Sequence, residues 1–132
     1  MSKKDDLIQA AIAAMPSAYA PYSNFQVGAA ICDENDIIHT GVNVENAAYP
    51  QGSCAEAGAI AAMIMGAGRH ITALAVAGRG DVLCTPCGGC RQRIREFAGP
   101  QTPIYICGPD GLRHTFTLAE LLPASFGPDN LS

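Results

Sequence analysis

An apolar run, residues 71–77 (ITALAVA), lies near the middle of the chain and limits the possible folds strongly. The run has the length of a strand, and its apolar side chains fall on both faces, which predicts a central strand that is buried on both sides. A sheet buried on both faces needs helices above and below it. Because strand-like and helix-like segments alternate along the 132 residues, we predict an α/β fold, one three-layer α/β/α domain over residues 1–132.

The other elements are predicted from hydrophobic periodicity and from the Gly, Pro, Asn and Asp residues that interrupt it. Five segments are expected to form a mixed sheet, and the turn composition of residues 33–36 (DEND) indicates a hairpin between the first two. The predicted strands are residues 26–32, 37–43, 71–77, 103–107 and 112–116. The predicted helices are residues 4–15, residues 54–65 with Ser53 as cap, residues 86–97 with Pro86 in the first turn, and a short last helix that opens with a capping box at residues 117–120.

Charge and composition narrow the classes of partner. The formal net charge is −4 and the sequence pI is about 5.1, so no nucleic-acid polymer is expected, since binding one needs a basic surface. The N-terminus lacks the apolar core of a signal peptide, and no segment has the ~18 apolar residues that span a bilayer. We therefore expect a cytoplasmic protein with no membrane partner, whose six cysteines are thiols or metal ligands.

Two cysteine segments carry the chemistry, residues 54–56 (CAE) and residues 86–90 (PCGGC). Each falls where a helix is predicted to begin, and the free N–H groups and the dipole of a helix N-terminus stabilise thiolates. Cys87 and Cys90 are three apart and hence neighbours on one helical face. With Cys54 from the other helix they would supply three zinc ligands and leave the fourth tetrahedral position for water, which is typical of a catalytic zinc site.

Glu56 lies two residues beyond one of the predicted zinc ligands. Zinc lowers the pKa of a water ligand, so that hydroxide is available near neutral pH. A carboxylate beside that water can take its proton and pass it to a substrate. A zinc ligand, any residue and Glu, followed later by Pro-Cys-x-x-Cys, is the signature of the zinc deaminases. We therefore interpret Glu56 as the proton shuttle of a hydrolase.

Several ordered segments carry a resemblance to a known family. The chain is similar along nearly its whole length to the small, homotetrameric cytidine deaminases of the three-cysteine zinc type. The matching segments are residues 25–30 (FQVGAA), 43–49 (NVENAAY), 54–56 (CAE), 86–92 (PCGGCRQ) and 121–123 (LLP). The resemblance implies an enzyme of pyrimidine salvage that hydrolyses cytidine and deoxycytidine to uridine and deoxyuridine, with release of ammonia.

The resemblance also implies roles for individual residues. One zinc per chain and a homotetramer with its sites near subunit boundaries are expected. The implied zinc ligands are Cys54, Cys87 and Cys90, beside the catalytic Glu56. The implied substrate contacts are Asn43 and Glu45 to the ribose hydroxyls, Phe25 against the pyrimidine, the Ala55 backbone on its polar edge, and Ala47, Tyr49 and Phe126 lining pockets near a subunit boundary. An aromatic ring such as that of Phe25 offers a stacking surface to any pyrimidine.

One residue of this chain differs from the pattern of the family that it resembles. Many of the three-cysteine relatives carry an arginine directly after the glutamate, whereas this chain has Ala57. Three thiolates and Zn²⁺ sum to a charge of −1, which opposes acidification of a zinc-bound water. Arg91, beside Cys90, and the two helix N-termini are the candidate compensations. On this hypothesis, Arg91→Ala weakens activity more than its lack of substrate contact would suggest.

Two alternative functions stay open at this point. Cys84, Cys87 and Cys90 also form a Cys-x2-Cys-x2-Cys run that occurs in iron–sulfur proteins. With Cys54 they could make a non-catalytic four-thiolate cluster or structural zinc site, which has no need of Glu56. Within the deaminase chemistry, the alternative substrate is a cytosine nucleoside antibiotic of the blasticidin type.

Overall fold

The computed structural model describes residues 2–132 of the chain. The helices are α1 (Lys3–Ala14), α2 (Ala55–Met65), α3 (Gly88–Arg95) and α4 (Leu118–Leu121). The strands are β1 (Val27–Asp33), β2 (Ile38–Val42), β3 (Ile71–Gly78), β4 (Pro103–Gly108) and β5 (Gly111–Thr117). Across residues 2–132, no helix combines the length and the apolar character needed to span a membrane.

The five strands form one sheet in the order β2-β1-β3-β4-β5. Neighbouring strands are antiparallel except β3 and β4, which are parallel and are joined by a crossover that contains α3. The predicted mixed, five-stranded sheet is confirmed. Its central strand is β3, in which residues 74–77 are fully buried, as the apolar run predicts.

Alternate residues of the central strands face two separate cores. The smaller side chains of the sheet, such as Ala30 and Ala75, pack against Leu7 and Ala11 of α1. The larger side chains face α2, α3 and α4 on the opposite side. This larger core contains Ile31, Met63, Leu74, Val76, Ile94, Ile104 and Ile106. The predicted three-layer α/β/α arrangement is therefore confirmed, with α2 and α3 on the same face of the sheet.

The first turn of α2 is held close to the sheet because residue 41, in β2, is a glycine. A Cβ atom at Gly41 would overlap the backbone nitrogen of Ala59 and lie only 2.5 Å from the carbonyl oxygen of Ala55. Both are backbone atoms, so a larger residue would have to displace the helix. The glycine thereby fixes the depth at which the N-terminal end of α2 meets the sheet.

A buried carboxylate organises the β1–β2 hairpin. Asp33 is almost fully buried, and its Oδ1 accepts hydrogen bonds from the backbone N–H groups of Asn35 (2.8 Å) and Ile37 (3.1 Å). Its Oδ2 pairs with His39 Nε2 at 2.8 Å. Burial by itself raises the pKa of Asp33, but the bonds to His39, Ile37 and Asn35 outweigh it and hold the pKa below the ordinary value of 3.8.

The lowered pKa of Asp33 predicts how fold stability depends on pH. The stabilisation is fully present above the unfolded-state pKa and is lost as the pH falls through the lower folded-state value. We expect Asp33→Asn to lower the free energy of unfolding by about 2 kcal/mol at pH 7. The difference in free energy of unfolding between the variant and the parent should disappear under acid conditions. Denaturant unfolding at a series of pH values measures this. Asp36→Asn in the same turn is the control, and an equal gap at every pH would contradict the prediction.

Candidate metal centre and active site

The N-terminal ends of α2 and α3 present the cysteines of the site. Cys54 is the N-cap of α2 and Cys87 is the N-cap of α3, both with extended backbone, and Cys90 lies in the first turn of α3. The prediction of Ser53 as the cap of α2 is wrong by one residue. The prediction that Pro86 begins the next helix is also wrong, because Pro86 precedes the N-cap. In both helices a cysteine occupies the N-cap, next to the free backbone N–H groups of the first turn.

The three sulfur atoms are close enough to share one metal ion. The Sγ atoms of Cys54, Cys87 and Cys90 all lie within 4.8 Å of one another, and those of Cys54 and Cys87 are 4.0 Å apart. Thiolates bound tetrahedrally about 2.3 Å from zinc lie roughly 3.8 Å apart. The cysteine geometry therefore fits a zinc ion with one further coordination position.

Cys84 does not belong to this group of sulfur atoms. Within the described part of the chain, the group that could hold a metal contains only the other three cysteines. The Cys84 side chain packs instead against the end of β3, where a Cβ on Gly78 would lie 2.7 Å from its sulfur. Burial raises the pKa of the Cys84 thiol to about 11, which favours the protonated form. The four-thiolate alternative thus lacks its fourth ligand.

The three clustered thiols differ in their electrostatic environment. The nearby backbone N–H of Cys90 favours the thiolate of Cys87 and, against partial burial, lowers the pKa of Cys87. Burial raises the pKa of Cys54 and of Cys90. Cys87 is therefore the most readily ionised of the three, and the other two release their protons when a metal ion binds.

Glu56 is a buried carboxyl group beside the cysteines. It lies in the first turn of α2, is 5% exposed, and lines a cavity of about 190 Å³ together with Val27, Asn43, Cys54 and Cys87. Burial raises the pKa of Glu56, while its own backbone N–H and the positive charge of an arginine on α3 lower it. A carboxyl group whose pKa is raised from its usual acidic range can both accept and return a proton near neutral pH.

Asn43 forms part of the wall of the same cavity. Its Oδ1 accepts a hydrogen bond from the Val27 N–H at 2.8 Å, and its Nδ2 donates to the Phe25 carbonyl at 2.9 Å. The side chain thus fixes the segment that leads into β1. A carboxamide has two N–H groups and two acceptor lone pairs, so Asn43 keeps one of each for a ligand.

Glu45 lines a different cavity, of about 340 Å³, with Tyr22, Ser23 and Tyr49. Its carboxylate accepts hydrogen bonds from the backbone N–H groups of Tyr22 (2.9 Å) and Ser23 (3.1 Å) and from the Ser23 hydroxyl. The Ser23 hydroxyl makes the largest contribution to lowering the pKa of Glu45. Glu45 is therefore ionised and holds the loop before β1, and it does not line the cavity of Glu56.

The other predicted substrate contacts differ in how close they lie to the cavity of Glu56. Phe25 is 41% exposed and borders a cavity with Cys84 and Thr85, which also border the cavity of Glu56. Ala55 is buried and lines the cavity of Glu56 directly. The remaining three, Ala47, Tyr49 and Phe126, are exposed and do not line that cavity.

The hydrogen-bond partners of Arg91 are groups other than the cysteine sulfurs. Its guanidinium donates to the carbonyl oxygens of Pro86 (2.7 Å) and Leu121 (2.8 Å) and to the Thr85 hydroxyl (3.3 Å). These contacts join α3 to α4 and to the loop before α3. The hypothesis that Arg91 compensates the thiolate charge is therefore not supported. The arginine that contacts a cysteine sulfur is Arg93, which is not part of the sequence-based hypothesis.

Comparison with known proteins identifies the family and the metal. The family model described as the cytidine and deoxycytidylate deaminase zinc-binding region matches residues 1–106. The cytidine deaminase of Sporosarcina psychrophila is 39% identical over 128 residues, which cover 97% of this chain and 94% of that protein. The cytidine deaminase of Mycobacterium tuberculosis strain H37Rv is 42% identical over 119 residues, 89% of this chain and 85% of that protein.

A solved structure gives the same result for the fold. The crystal structure of cytidine deaminase from Burkholderia pseudomallei superposes with a TM-score of 0.87 at 38% identity, over 96% of this chain and 100% of that one. The metal that suits the three cysteines is accordingly zinc. With its matched zinc-binding region, its near full-length relatives and its shared fold, this chain belongs to the cytidine and deoxycytidylate deaminase family.

Proposed function

We propose that the protein hydrolyses cytidine and deoxycytidine to uridine and deoxyuridine, with release of ammonia, in cytoplasmic pyrimidine salvage. The observation that carries the proposal is one cavity in which the buried Glu56 lies beside Cys54 and Cys87, with Cys90 completing a group of three sulfur atoms. A structural zinc site has four protein ligands and no need of a carboxyl group. A site of three thiolates and one buried acid is that of a hydrolase.

In the proposed reaction Cys54, Cys87 and Cys90 hold the zinc. Bound zinc supplies the Lewis acidity that makes hydroxide available near neutral pH. Glu56 accepts one proton of the attacking water and passes it to the ring nitrogen of the pyrimidine, and it then moves the second proton of that water to the departing amino group. One water is consumed and one ammonia released, so the side chain of Glu56 ends each turnover in its starting state.

The substrate contacts of the proposal use groups that the fold already holds rigidly. The backbone of Ala55 lines the cavity and hydrogen-bonds the polar edge of the pyrimidine. Asn43 offers its remaining N–H and lone pair to a ribose hydroxyl, and Glu45 offers a carboxylate fixed by the Ser23 region. Phe25, beside the mouth of the cavity, packs against the pyrimidine ring.

A homotetramer is part of the proposal. Tyr49 is 77% exposed and Phe126 is 59% exposed in the single chain, so both large side chains are available for burial against another subunit. In the proposed tetramer, Ala47, Tyr49 and Phe126 reach the active site of a neighbouring subunit. The mass of the protein in solution, measured by light scattering, tests this assembly.

The test of the reaction is a comparison of substrates. We expect the protein to convert cytidine and deoxycytidine to the uracil nucleosides with one ammonia per turnover, and to act on a blasticidin-type antibiotic much more slowly. Product identity by chromatography and ammonia release are measured on the same reaction. Turnover of the antibiotic alone would shift the substrate assignment, and turnover of neither would overturn the proposed function.

A further inference from the structure

Arg93 makes a contact with the metal centre that the proposed reaction has not used. Its Nη1 lies 3.7 Å from the Sγ of Cys90, within hydrogen-bonding distance for sulfur. Cys90 is fully buried and belongs to the group of three sulfur atoms. The guanidinium also lies close enough to Glu56 for its charge to act on that carboxyl group. One permanently charged side chain therefore acts on a sulfur atom of the metal centre and on the buried carboxyl group.

The helix geometry explains why Arg93 reaches this sulfur. Residues three and four apart are neighbours on a helix, and long side chains lean back toward the N-terminal turn. Arg93 therefore extends over Cys90 and over residue 89, which is a glycine. A Cβ atom at Gly89 would lie 3.2 Å from Arg93 Nη1, a tight contact. The missing side chain at Gly89 leaves room for the guanidinium over the first turn of α3.

The charge of the metal centre gives the contact its importance. Three thiolates and Zn²⁺ sum to −1, and the ionised form of Glu56 adds to the negative potential. The residue after Glu56 is Ala57, which carries no charge, and Arg91 is bonded to Pro86, Leu121 and Thr85. Among the cationic side chains of residues 2–132, Arg93 contacts a cysteine sulfur of the site.

We propose that Arg93 is the fixed positive charge of the metal centre, donating a charge-assisted hydrogen bond to Cys90 that offsets the third thiolate. This inference concerns zinc binding and rests on the proposed function only for its effect on turnover. Hydrogen bonds to a thiolate withdraw electron density from sulfur, so the metal stays a stronger Lewis acid. Arg93 acts through Cys90 and is a positioning residue.

Cobalt substitution tests the contact without any assay of turnover. In the Co²⁺-loaded protein the thiolate-to-metal charge-transfer absorption reports electron donation by sulfur. We expect Arg93→Ala to move this band to lower energy and to weaken zinc binding on the order of 10-fold or more, measured by competition with a chelator. Arg93→Lys restores the charge, and we expect it to recover much of the zinc affinity.

The control is Arg95→Ala, which removes the same charge from the same helix. Arg95 is bonded to Ser125 and pairs with Asp129 at 3.6 Å, away from the cysteines, so the cobalt band should stay where it is. A band in Arg93→Ala identical to that of the parent would overturn the inference, whatever the zinc affinity. A shifted band in a protein that does not deaminate cytidine would support the role of Arg93 and reject the proposed function alone.

Discussion

Glu56→Gln will bind one zinc and fold as the parent does, yet deaminate cytidine more slowly by about 10³-fold. The substitution keeps the size of the side chain and its place in the first turn of α2 but removes the group that accepts and returns the proton. General acid–base groups typically contribute 10²–10⁴-fold to rate. The loss should appear in kcat, with zinc content and thermal unfolding close to those of the parent.

The control for this experiment is Glu96→Gln at the end of α3. Glu96 is exposed and lies outside the cavity of Glu56, so its variant should keep parental activity while losing the same charge. If Glu56→Gln turned over cytidine as fast as the parent, the assignment of Glu56 as the proton shuttle would be wrong, even with zinc in place.

Cys87→Ala will lose zinc and activity together. Cys87 is the exposed N-cap of α3 and the most readily ionised thiol of the three, so its loss removes a ligand at small cost to the core. A catalytic zinc needs three protein ligands, and two thiolates should hold the ion too weakly to survive purification. We expect a zinc content below about a tenth per chain and activity at background, measured on one sample.

Cys84→Ala is the matched variant, because it removes a thiol from the same loop region without touching the group of three sulfur atoms. It should keep one zinc per chain. The reverse outcome, in which Cys84→Ala loses the metal and Cys87→Ala retains it, would mean that the metal is bound by a different set of thiols.

The fold could be predicted from the sequence because its clearest hydrophobic pattern is compatible with only one kind of element. The apolar run at residues 71–77 can be buried on both faces only in the middle of a covered sheet, and it is β3. The boundaries of the helices were harder to predict. Ser53 is a common cap residue, but the structure uses Cys54. With Cys54 as the N-cap, its sulfur lies close to the other two cysteine sulfurs. Helix propensity depends only on neighbouring residues and so does not predict this long-range contact.

The error over the arginines has a similar physical origin. Arg91 follows Cys90 directly in sequence, but adjacent residues on a helix point in different directions. The contact between Arg93 and Cys90 can be predicted from their three-residue spacing on the helix. Gly89, four residues before Arg93, leaves room for the guanidinium. The exposed Tyr49 and Phe126 could not be placed by reasoning on one chain, because a surface of this kind is completed by a neighbouring subunit in the proposed tetramer.

Metal analysis and a cytidine assay on the same purified sample test the assignment of this chain as a zinc-dependent cytidine deaminase. We predict one zinc per chain, no visible absorption, and conversion of cytidine to uridine that disappears when a chelator removes the zinc and returns when zinc is added back. A brown protein with an iron–sulfur absorption spectrum, or a zinc protein that leaves cytidine unchanged, would contradict it.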